Sequence, residues 1–539
     1  MKKLPLLLSI AMSIGILIGT FLANHFNGNR INIINTGTNK LNYLLQLIDN
    51  SYVDTVDINQ VVDEAIPSIL SELDPHSAYL NASDAEAANE DLRGTFSGIG
   101  IQYRMERDTV MVMSVIHGGP AEKIGILSGD RIITAGKKNL CKLESTEVQK
   151  YIKGKKGTHV KLTVVRRGHS KPITFDVERG DIPVYTIDAS YMIEPGIGYI
   201  RVKSFGEQTY AEMLSALAKL NMQGMKSLIL DLRGNRGGYM QIAIQMVNEF
   251  LPSDQLILYT EGRKSPREDY HSDGRGSFKE LPIVVLVDEM SASSSEIFAG
   301  AIQDNDRGTI IGRRTFGKGL VQQSMNFRDG STVRLTVSRY YTPSGRCIQK
   351  PYQKGHGEDY ENELLMRYER GEFFSEDSIH QDGPIYKTVH LGRTVYGGGG
   401  IRPDIFVPED TTGLTTYYKQ AAYTGLIAQY AFEITDRHRA ELQKLDDNTQ
   451  LEQWMNRKNL IEGFATWASS HGLQRRNLML RQSQRLFRRA IYGGIIYNTR
   501  EMEDYLTFLN QEDPTINKAL DIIHQGSTVP TKKTPDTLP

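Results

Sequence analysis

Cysteine is scarce in this sequence, whose 539 residues contain only Cys141 and Cys347. Two thiols exclude a disulfide scaffold and a four-cysteine zinc site, and they leave room for one bridge at most. Net charge is scarce as well, because 63 Lys and Arg residues face 64 Asp and Glu residues. This balance removes the general electrostatic case for a nucleic-acid-binding protein. Any basic binding site must therefore be local.

Long apolar runs are equally rare, and one uncharged run over residues 4–23 follows Lys2 and Lys3. Twenty helical residues rise ~30 Å, which is the thickness of the hydrocarbon core of a bilayer. The lysine pair is expected to stay in the cytoplasm and the rest of the chain to cross the membrane. We therefore predict a membrane anchor or signal segment over residues 1–24, and a periplasmic or extracytoplasmic body. An uncleaved inner-membrane anchor is favoured over a removed signal because no clear small-x-small cleavage site follows.

The length of the chain predicts several domains, because a single hydrophobic core usually stops growing at ~250–300 residues. The hydrophobic pattern changes along the sequence from amphipathic helices to short strands, then to alternating strands and helices, and back to helices. The predicted regions are a linker with an N-terminal helical region over residues 25–92, a β-rich domain over 93–180, an α/β core over 181–409, a helical C-terminal domain over 410–525 and a disordered tail over 526–539.

The most informative motif follows an apolar strand and opens a helix, with the sequence Ser-Ala-Ser-Ser-Ser-Glu-Ile over residues 291–297. A hydroxyl at such a turn lies at the sheet edge, where the helix amino terminus supplies free N–H groups and positive potential. The motif therefore predicts a site that can hold an anion. A plain serine-rich N-cap, with Glu296 in a capping role, explains the same residues.

Two glycine-containing segments offer complementary chemistry. Lys318 lies between Gly317 and Gly319, and a lysine pressed into an apolar site has a lowered pKa and can act as a general base. Gly237 and Gly238 follow another apolar strand, where a backbone N–H can be turned toward a carbonyl oxygen, as an oxyanion hole requires. Taken in isolation, each segment is better explained without catalysis, as an exposed lysine in a mobile glycine loop and as an ordinary glycine turn.

Taken together, these motifs resemble those of the C-terminal processing peptidases, serine peptidase family S41. The order of the serine motif, Gln303-Asp304, the Thr-Phe-Gly-Lys-Gly segment over 315–319 and Gln322 is that of the family. Similar family segments occur at residues 73–77, 340–346 and 400–404. The resemblance covers residues 38–408. It predicts a crotonase/ClpP-like α/β protease core with an inserted PDZ domain, and it leaves His76 a structural role.

The resemblance also implies a role for each motif residue. Ser293 corresponds to the nucleophile, Lys318 to its general base and Gln322 to the residue that orients the lysine. The implied oxyanion donors are the N–H of Ser294 and one of Gly237 or Gly238. Because the family usually has alanine at position 294, the extra hydroxyl makes Ser291, Ser294 and Ser295 rival candidates for the nucleophile.

The β-rich segment resembles a PDZ domain with its carboxylate-binding loop at Gly98, Ile99, Gly100 and Ile101. Backbone N–H groups of such a loop hold a terminal carboxylate while the peptide adds to the sheet edge. Val148 and Ile152 are four residues apart on the single clear helix, and they are predicted to form an apolar wall beside the last side chain. The expected ligand is an apolar protein C-terminus. For the loop residues alone, a β-turn or bulge is the simpler explanation.

The resulting hypothesis is a serine endopeptidase that works without a cofactor or metal ion. Its expected partners are peptides or proteins with apolar C-termini and the membrane, and a homo-oligomer or an adaptor protein is left open; no nucleic-acid partner is expected. The chain lacks Gly-x-Ser-x-Gly and His-Glu-x-x-His motifs, so the corresponding hydrolase chemistries have no residues to use. Two alternatives remain open: a noncatalytic PDZ scaffold and a crotonase-type acyl-group enzyme.

Overall fold

The protein is described here by a computed structural model, which covers residues 14–15, 37–106, 108–116, 118–380 and 383–529. The predicted anchor lies outside these ranges except for Ile14 and Gly15, and so does the predicted tail beyond Val529. Among the residues covered, no helix is long and apolar enough to span a membrane. The chain forms two compact units, residues 1–69 and 70–539.

The described part of the first unit is helical, as the amphipathic spacing predicts. Helix α1 is Gly37–Ser51, and helix α2 is Ile58–Ser71, which carries Pro67. Both helices have one apolar face and few charged residues at their ends. The helical prediction for this region is therefore confirmed.

The second unit begins with a short strand and a capped helix that lead into the β-rich segment. The Asn81 side chain accepts the Asp84 N–H at the start of the helix, and Gly94 ends it in the left-handed region, at φ 71°. The elements are β1 (Ala78–Leu80), α3 (Ala82–Arg93), β2 (Thr95–Gly98), β3 (Ile101–Glu106), β4 (Thr109–Val115), α4 (Pro120–Lys123), β5 (Arg131–Ala135), β6 (Lys138–Asn139), α5 (Ser145–Ile152), β7 (His159–Val165), β8 (Ile173–Glu178) and β9 (Gly180–Pro183).

These strands form a small sheet with its own core, in the order β3-β4-β5-β7-β8, with β6 on β5. A separate antiparallel pair, β2 with β9, joins the two ends of the segment between Thr95↔Pro183 and Gly98↔Gly180. The chain therefore leaves the β-rich segment next to the point where it enters, as an inserted domain requires.

The largest core lies in the α/β region that follows. Its elements are β10 (Ile187–Glu194), β11 (Ile197–Val202), α6 (Thr209–Met222), β12 (Ser227–Asp231), α7 (Met240–Asn248), β13 (Leu256–Glu261), β14 (Glu268–His271), β15 (Ile283–Val287), α8 (Ser294–Asp304), β16 (Thr309–Gly312), β17 (Leu320–Asn326), β18 (Thr332–Tyr341), α9 (Gly357–Glu369), β19 (Ile385–Lys387), β20 (Thr394–Tyr396) and β21 (Ile405–Phe406). A 3-10 turn lies at Glu376–Ser378.

The main sheet has the strand order β10-β11-β12-β15-β16-β21 and is parallel except for β10. The inner strands β12 and β15 are mainly apolar, and side chains on both faces of the sheet are buried, as predicted for a sheet covered on both sides. Helices α6, α7 and α8 contribute to the core on one face. Parallel strands align their carboxyl ends, so the loops after β12 and β15 lie next to each other.

A second sheet carries part of the candidate site, with the order β1-β18-β13-β14. Strand β17 pairs with the other edge of β18. The register between β17 and β18 shifts between Val321 and Gln322. Such a bulge re-aims the side chains that follow it.

The C-terminal region is helical, as predicted, but its helices contribute to two different cores. They are α10 (Thr416–Tyr423), α11 (Leu426–Leu442), α12 (Asn448–Arg457), α13 (Leu460–Ser470), α14 (Asn477–Gln482), α15 (Gln484–Tyr497), α16 (Met502–Asn510) and α17 (Pro514–His524). Helices α10 to α15 enclose a core of their own, whereas residues of α16 and α17 cover the second face of the main sheet.

Helix α11 also contacts the β-rich segment. Arg167 donates to the Asp436 carboxylate at 3.1 Å, and the Arg104 guanidinium lies 4.9 Å from the centroid of the Phe432 ring. The C-terminal helices therefore contact both the β-rich segment and the main sheet. Cys141 and Cys347 are both free thiols.

Candidate active site

The serine motif lies between β15 and α8, at the carboxyl edge of the main sheet. Ser293 is the N-cap of α8 and has φ 55° and ψ −113°. A non-glycine residue held in such a sparsely populated region costs about 1–3 kcal/mol, and such residues concentrate at functional sites. Ser293 is partly exposed, whereas the three rival serines are buried.

The hydroxyls of the rival serines already have partners. Each donates to a backbone carbonyl of the loop after β12: Ser291 to Leu232 at 2.8 Å, Ser294 to Gly238 at 2.9 Å and Ser295 to Asn235 at 2.8 Å. The Ser293 hydroxyl donates no hydrogen bond within the ranges that the structure covers. Of the four serines, it is therefore the one whose hydroxyl can give its proton to a base.

The buried carboxylate of Glu296 joins the serine turn to the lysine loop. Its Oε2 accepts the N–H groups of Ser293 at 2.8 Å and Lys318 at 2.9 Å, and its Oε1 accepts the Gly317 N–H at 2.7 Å and the Thr315 hydroxyl at 2.6 Å. Burial raises the pKa of the Glu296 carboxyl, and these four donors counteract the effect. The capping role considered from the sequence is thus one part of a wider role.

Tyr340 links the same two residues through their carbonyl groups. Its hydroxyl oxygen lies 3.1 Å from the carbonyl oxygen of Ser293 and 2.8 Å from that of Lys318. Together with Glu296, this phenol brings residues 293 and 318 next to each other. The sequence predicts no role for Tyr340, because its spacing from either motif carries no signal of this contact.

Lys318 is largely removed from solvent. Burial lowers the pKa of its amine, the positive charge of Arg334 lowers it further, and Glu296 and Asp74 oppose the shift. Its Nζ donates to Oε1 of Gln322 at 3.0 Å. The structure therefore brings together the lysine and glutamine that the family motif pairs.

A turn at residues 74–77 fixes the orientation of the Gln322 amide. The Nε2 of Gln322 donates to the backbone carbonyl of His76, which leaves Oε1 facing the lysine. The turn is held by Asp74, whose carboxylate accepts the N–H groups of His76 and Ser77 and the Ser77 hydroxyl. Burial, and to a lesser degree the charge of Lys318, lower the pKa of His76 to about 4.

The glycine pair lies against the turn that carries Ser293. Gly237 has φ 101°, and a Cβ built there would lie 2.8 Å from Cβ of Ser293. The Gly237 N–H donates to the side chain of Asn235, whereas neither the Gly238 N–H nor the Ser294 N–H has a hydrogen-bond partner among the residues covered. Of the two glycines left open by the sequence, Gly238 thus has the available donor.

The predicted peptide-binding residues lie together in the β-rich segment. Ile99 and Gly100 precede β3, and their N–H groups donate no hydrogen bond to any described residue. Val148 and Ile152 are buried in the same cluster as Ile99 and Ile101. Beside them, the Tyr103 hydroxyl donates to the Ser145 carbonyl at 2.9 Å, which joins β3 to α5. The apolar side chains are therefore present but covered in this conformation.

Comparison with known proteins gives three family matches. Residues 196–361 match peptidase family S41, residues 97–178 match the PDZ domain, and residues 417–499 match a family of unknown function. The fold and these matches define a mixed α/β peptidase that carries a PDZ domain.

Individual relatives narrow the class. The chain is 32% identical over 419 residues to the carboxy-terminal processing protease CtpA of Bacillus subtilis, covering 77% of this chain and 88% of that protein. It is 36% identical over 311 residues to a carboxy-terminal-processing protease of Bartonella bacilliformis, covering 57% of this chain and 71% of that protein. A solved photosystem II D1 C-terminal processing protease is 29% identical, covers 57% of this chain and 83% of its own, and has a TM-score of 0.33. The chain belongs to the carboxy-terminal processing proteases of peptidase family S41.

Proposed function

We propose that the protein is a serine endopeptidase in which Ser293 is the nucleophile and Lys318 is its general base. The observation that carries this proposal is the double link between the two residues, through Oε2 of Glu296 and the hydroxyl of Tyr340. The lowered pKa of Lys318 supports it, because a neutral amine can accept a proton from a serine.

The steps follow from the groups at the site. Neutral Lys318 takes the proton as the Ser293 oxygen attacks the peptide carbonyl, and the negative oxygen that forms accepts the N–H groups of Ser294 and Gly238. The lysine then gives the proton to the leaving amine, so an ester and a free amino terminus result. Water attacks the ester and gives one proton to Lys318, which passes it to the Ser293 oxygen as the acid is released, so the serine hydroxyl is restored.

Gln322 has a defined task in this scheme. Its Oε1 can only accept a hydrogen bond, so one N–H of the Lys318 amine must point toward it. That hydrogen bond restricts rotation of the amine and favours a lone pair directed at the nucleophile. We propose Gln322 as the residue that orients the general base.

We further propose that the PDZ domain selects substrates by an apolar C-terminus. The free N–H groups of Ile99 and Gly100 are suited to a terminal carboxylate. Ile101, Val148 and Ile152 surround the space that an apolar last side chain would enter if α5 and β3 separate. Gly98, the last residue of β2, directly precedes this loop.

The proposed place of action is outside the cytoplasm. The support is the apolar run over residues 4–23 behind two lysines, which suits an N-terminal membrane anchor or export signal. Localisation of the full chain by membrane fractionation and by protease accessibility in intact spheroplasts tests it. Protection of the body from external protease would contradict it.

The dyad is tested with reduced, carboxymethylated lysozyme carrying a C-terminal Val-Ala-Ala extension. Ser293→Ala and Lys318→Ala are each expected to lower cleavage by ~1,000-fold or more, whereas Lys354→Ala, at an exposed lysine, is expected to leave it unchanged. Cleavage by Ser293→Ala or Lys318→Ala at the wild-type rate would remove the dyad, and no cleavage by the wild type would favour the noncatalytic scaffold. A substrate ending in Asp-Asp-Asp tests the apolar preference in the same assay.

A further inference from the structure

Strand β17 has one unpaired edge that leads away from the candidate site. The strand begins at Leu320, two residues after Lys318, and carries Gln322. One side pairs with β18 along its whole length. Within the ranges that the structure covers, the other side pairs with no strand, and residues 323–327 are exposed.

The composition of this edge is unusual for the molecule. Natural edge strands are commonly protected by charged side chains, proline or short length. The other edge strands of more than four residues in the described sheets, β3, β8 and β10, all contain charged residues. Strand β17 has seven residues, Leu-Val-Gln-Gln-Ser-Met-Asn, with neither charge nor proline. Among the edge strands of the described sheets that exceed four residues, it is therefore the one without such protection.

The register shows which backbone groups point outward. The Phe327 N–H donates to the Ser331 carbonyl, and hydrogen-bonded and non-hydrogen-bonded pairs alternate along an antiparallel ladder. Met325↔Val333 is then a hydrogen-bonded pair, whereas Ser324 and Asn326 direct their N–H and C=O groups away from β18. Within the described residues, these N–H and C=O groups pair with no strand, so they are available to bind another extended chain.

We propose that this outer edge of β17 binds the substrate polypeptide as an added strand, and so leads it past Lys318 to Ser293. The inference rests on the proposed function, since an endopeptidase must hold an unfolded chain extended across its nucleophile. Main-chain pairing does not depend on side chains, so the edge accepts many sequences. The PDZ domain then selects the C-terminus, and β17 binds the backbone near the cleavage point.

The first test removes one outward N–H. Ser324→Pro deletes a donor that the β17–β18 ladder does not use, and Ser324→Ala is the matched control. We expect Ser324→Pro to lower kcat/KM for the carboxymethylated lysozyme substrate by ~10-fold or more. Labelling of Ser293 by a small fluorophosphonate is expected to stay at the wild-type rate, because this probe needs no paired strand. Turnover by Ser324→Pro equal to that of Ser324→Ala would overturn the proposal.

The second test leaves the edge intact. In Ser293→Ala with the same substrate bound, hydrogen exchange over residues 320–327 is expected to slow, and unchanged exchange there would overturn the proposal. If Ser324→Pro instead dissociates an oligomer and keeps its turnover, the edge pairs with a second copy rather than with substrate. Failure of the proposed function itself is distinguishable, because wild-type Ser293 would then resist the fluorophosphonate.

Discussion

The Gln322 amide could present either its oxygen or its nitrogen to Lys318, and a backbone carbonyl decides between them. Because Nε2 donates to the His76 carbonyl, Oε1 faces the lysine. An uncharged acceptor at this place holds the amine without stabilising its protonated form as a carboxylate would. The residue type therefore matters as much as the hydrogen bond.

Gln322→Glu tests this point through the pH dependence of the reaction. A carboxylate within hydrogen-bonding distance of the amine favours the ammonium form and therefore raises the pKa of Lys318. In the proposed mechanism, activity requires the neutral amine and rises as pH rises through that pKa, so the acid limb of the kcat/KM profile is expected to move to higher pH. The control is Gln223→Glu, at an exposed position. A loss of activity with an unmoved acid limb would contradict this role for Gln322.

At the scale of elements, the site is made where two loops of the main sheet and one edge of the second sheet meet. Backbone carbonyls of the loop after β12 accept hydrogen bonds from three serine hydroxyls, one just before α8 and two in its first turn. Glu296, in the first turn of α8, accepts hydrogen bonds from two backbone N–H groups of the lysine loop before β17. The proposed nucleophile and base thus come from different elements, and their separation depends on how those elements pack.

Gly237→Ala tests the contact between the β12 loop and the nucleophile turn. An added methyl group would lie 2.8 Å from both the Ala292 carbonyl oxygen and Cβ of Ser293, at a φ that alanine adopts with strain. We expect Ser293 and the loop to be displaced, activity to fall by ~100-fold or more, and unfolding free energy to fall by about 2 kcal/mol.

The matched control is Gly234→Ala in the same loop. Its φ is 74°, and a Cβ there meets no atom within 4 Å, so it carries the backbone strain without the contact. We expect a loss of ~1 kcal/mol in unfolding free energy and nearly normal kcat/KM. Equal losses of activity in the two variants would show that backbone strain alone disturbs the site.

At the scale of the whole molecule, the C-terminal helices do more than extend the protease. Leu506 of α16 and Ile516, Ala519 and Ile522 of α17 are buried against the outer face of the main sheet. They cover Ile229, Val284, Leu286 and Ile311. The α/β region therefore depends on helices far away in sequence to close its core.

Two truncations test this dependence. Ending the chain after Tyr497 removes α16 and α17 and exposes one face of the sheet, at ~1.5–3 kcal/mol for each large apolar side chain uncovered. That variant is expected to aggregate or to unfold at a much lower Tm. Ending the chain after Val529 keeps both helices and is expected to leave the Tm unchanged. A folded, active protein that ends after Tyr497 would contradict the packing role.

The motifs and their order were readable from the sequence because catalytic chemistry restricts residue types: the family, the PDZ domain and the mixed α/β fold follow from them. Periodicity also predicted the helices, and uninterrupted apolar strands predicted a sheet covered on both faces. Other features depend on contacts between distant segments, to which local pattern is blind. The sequence could not tell that Glu296 joins two loops, that Tyr340 binds both carbonyls, or that Asn235 occupies the Gly237 N–H.

The helix face that carries Val148 and Ile152 illustrates the same limit, since an i, i+4 pair is apolar whether it lines a groove or fills a core. Only packing distinguishes the two, and here both side chains are buried. The amino-acid sequence by itself determined which chemical groups the protein has and the elements that carry them. The tertiary structure decided which of those groups meet, because hydrogen-bond partners and solvent exclusion are set by segments far apart along the chain.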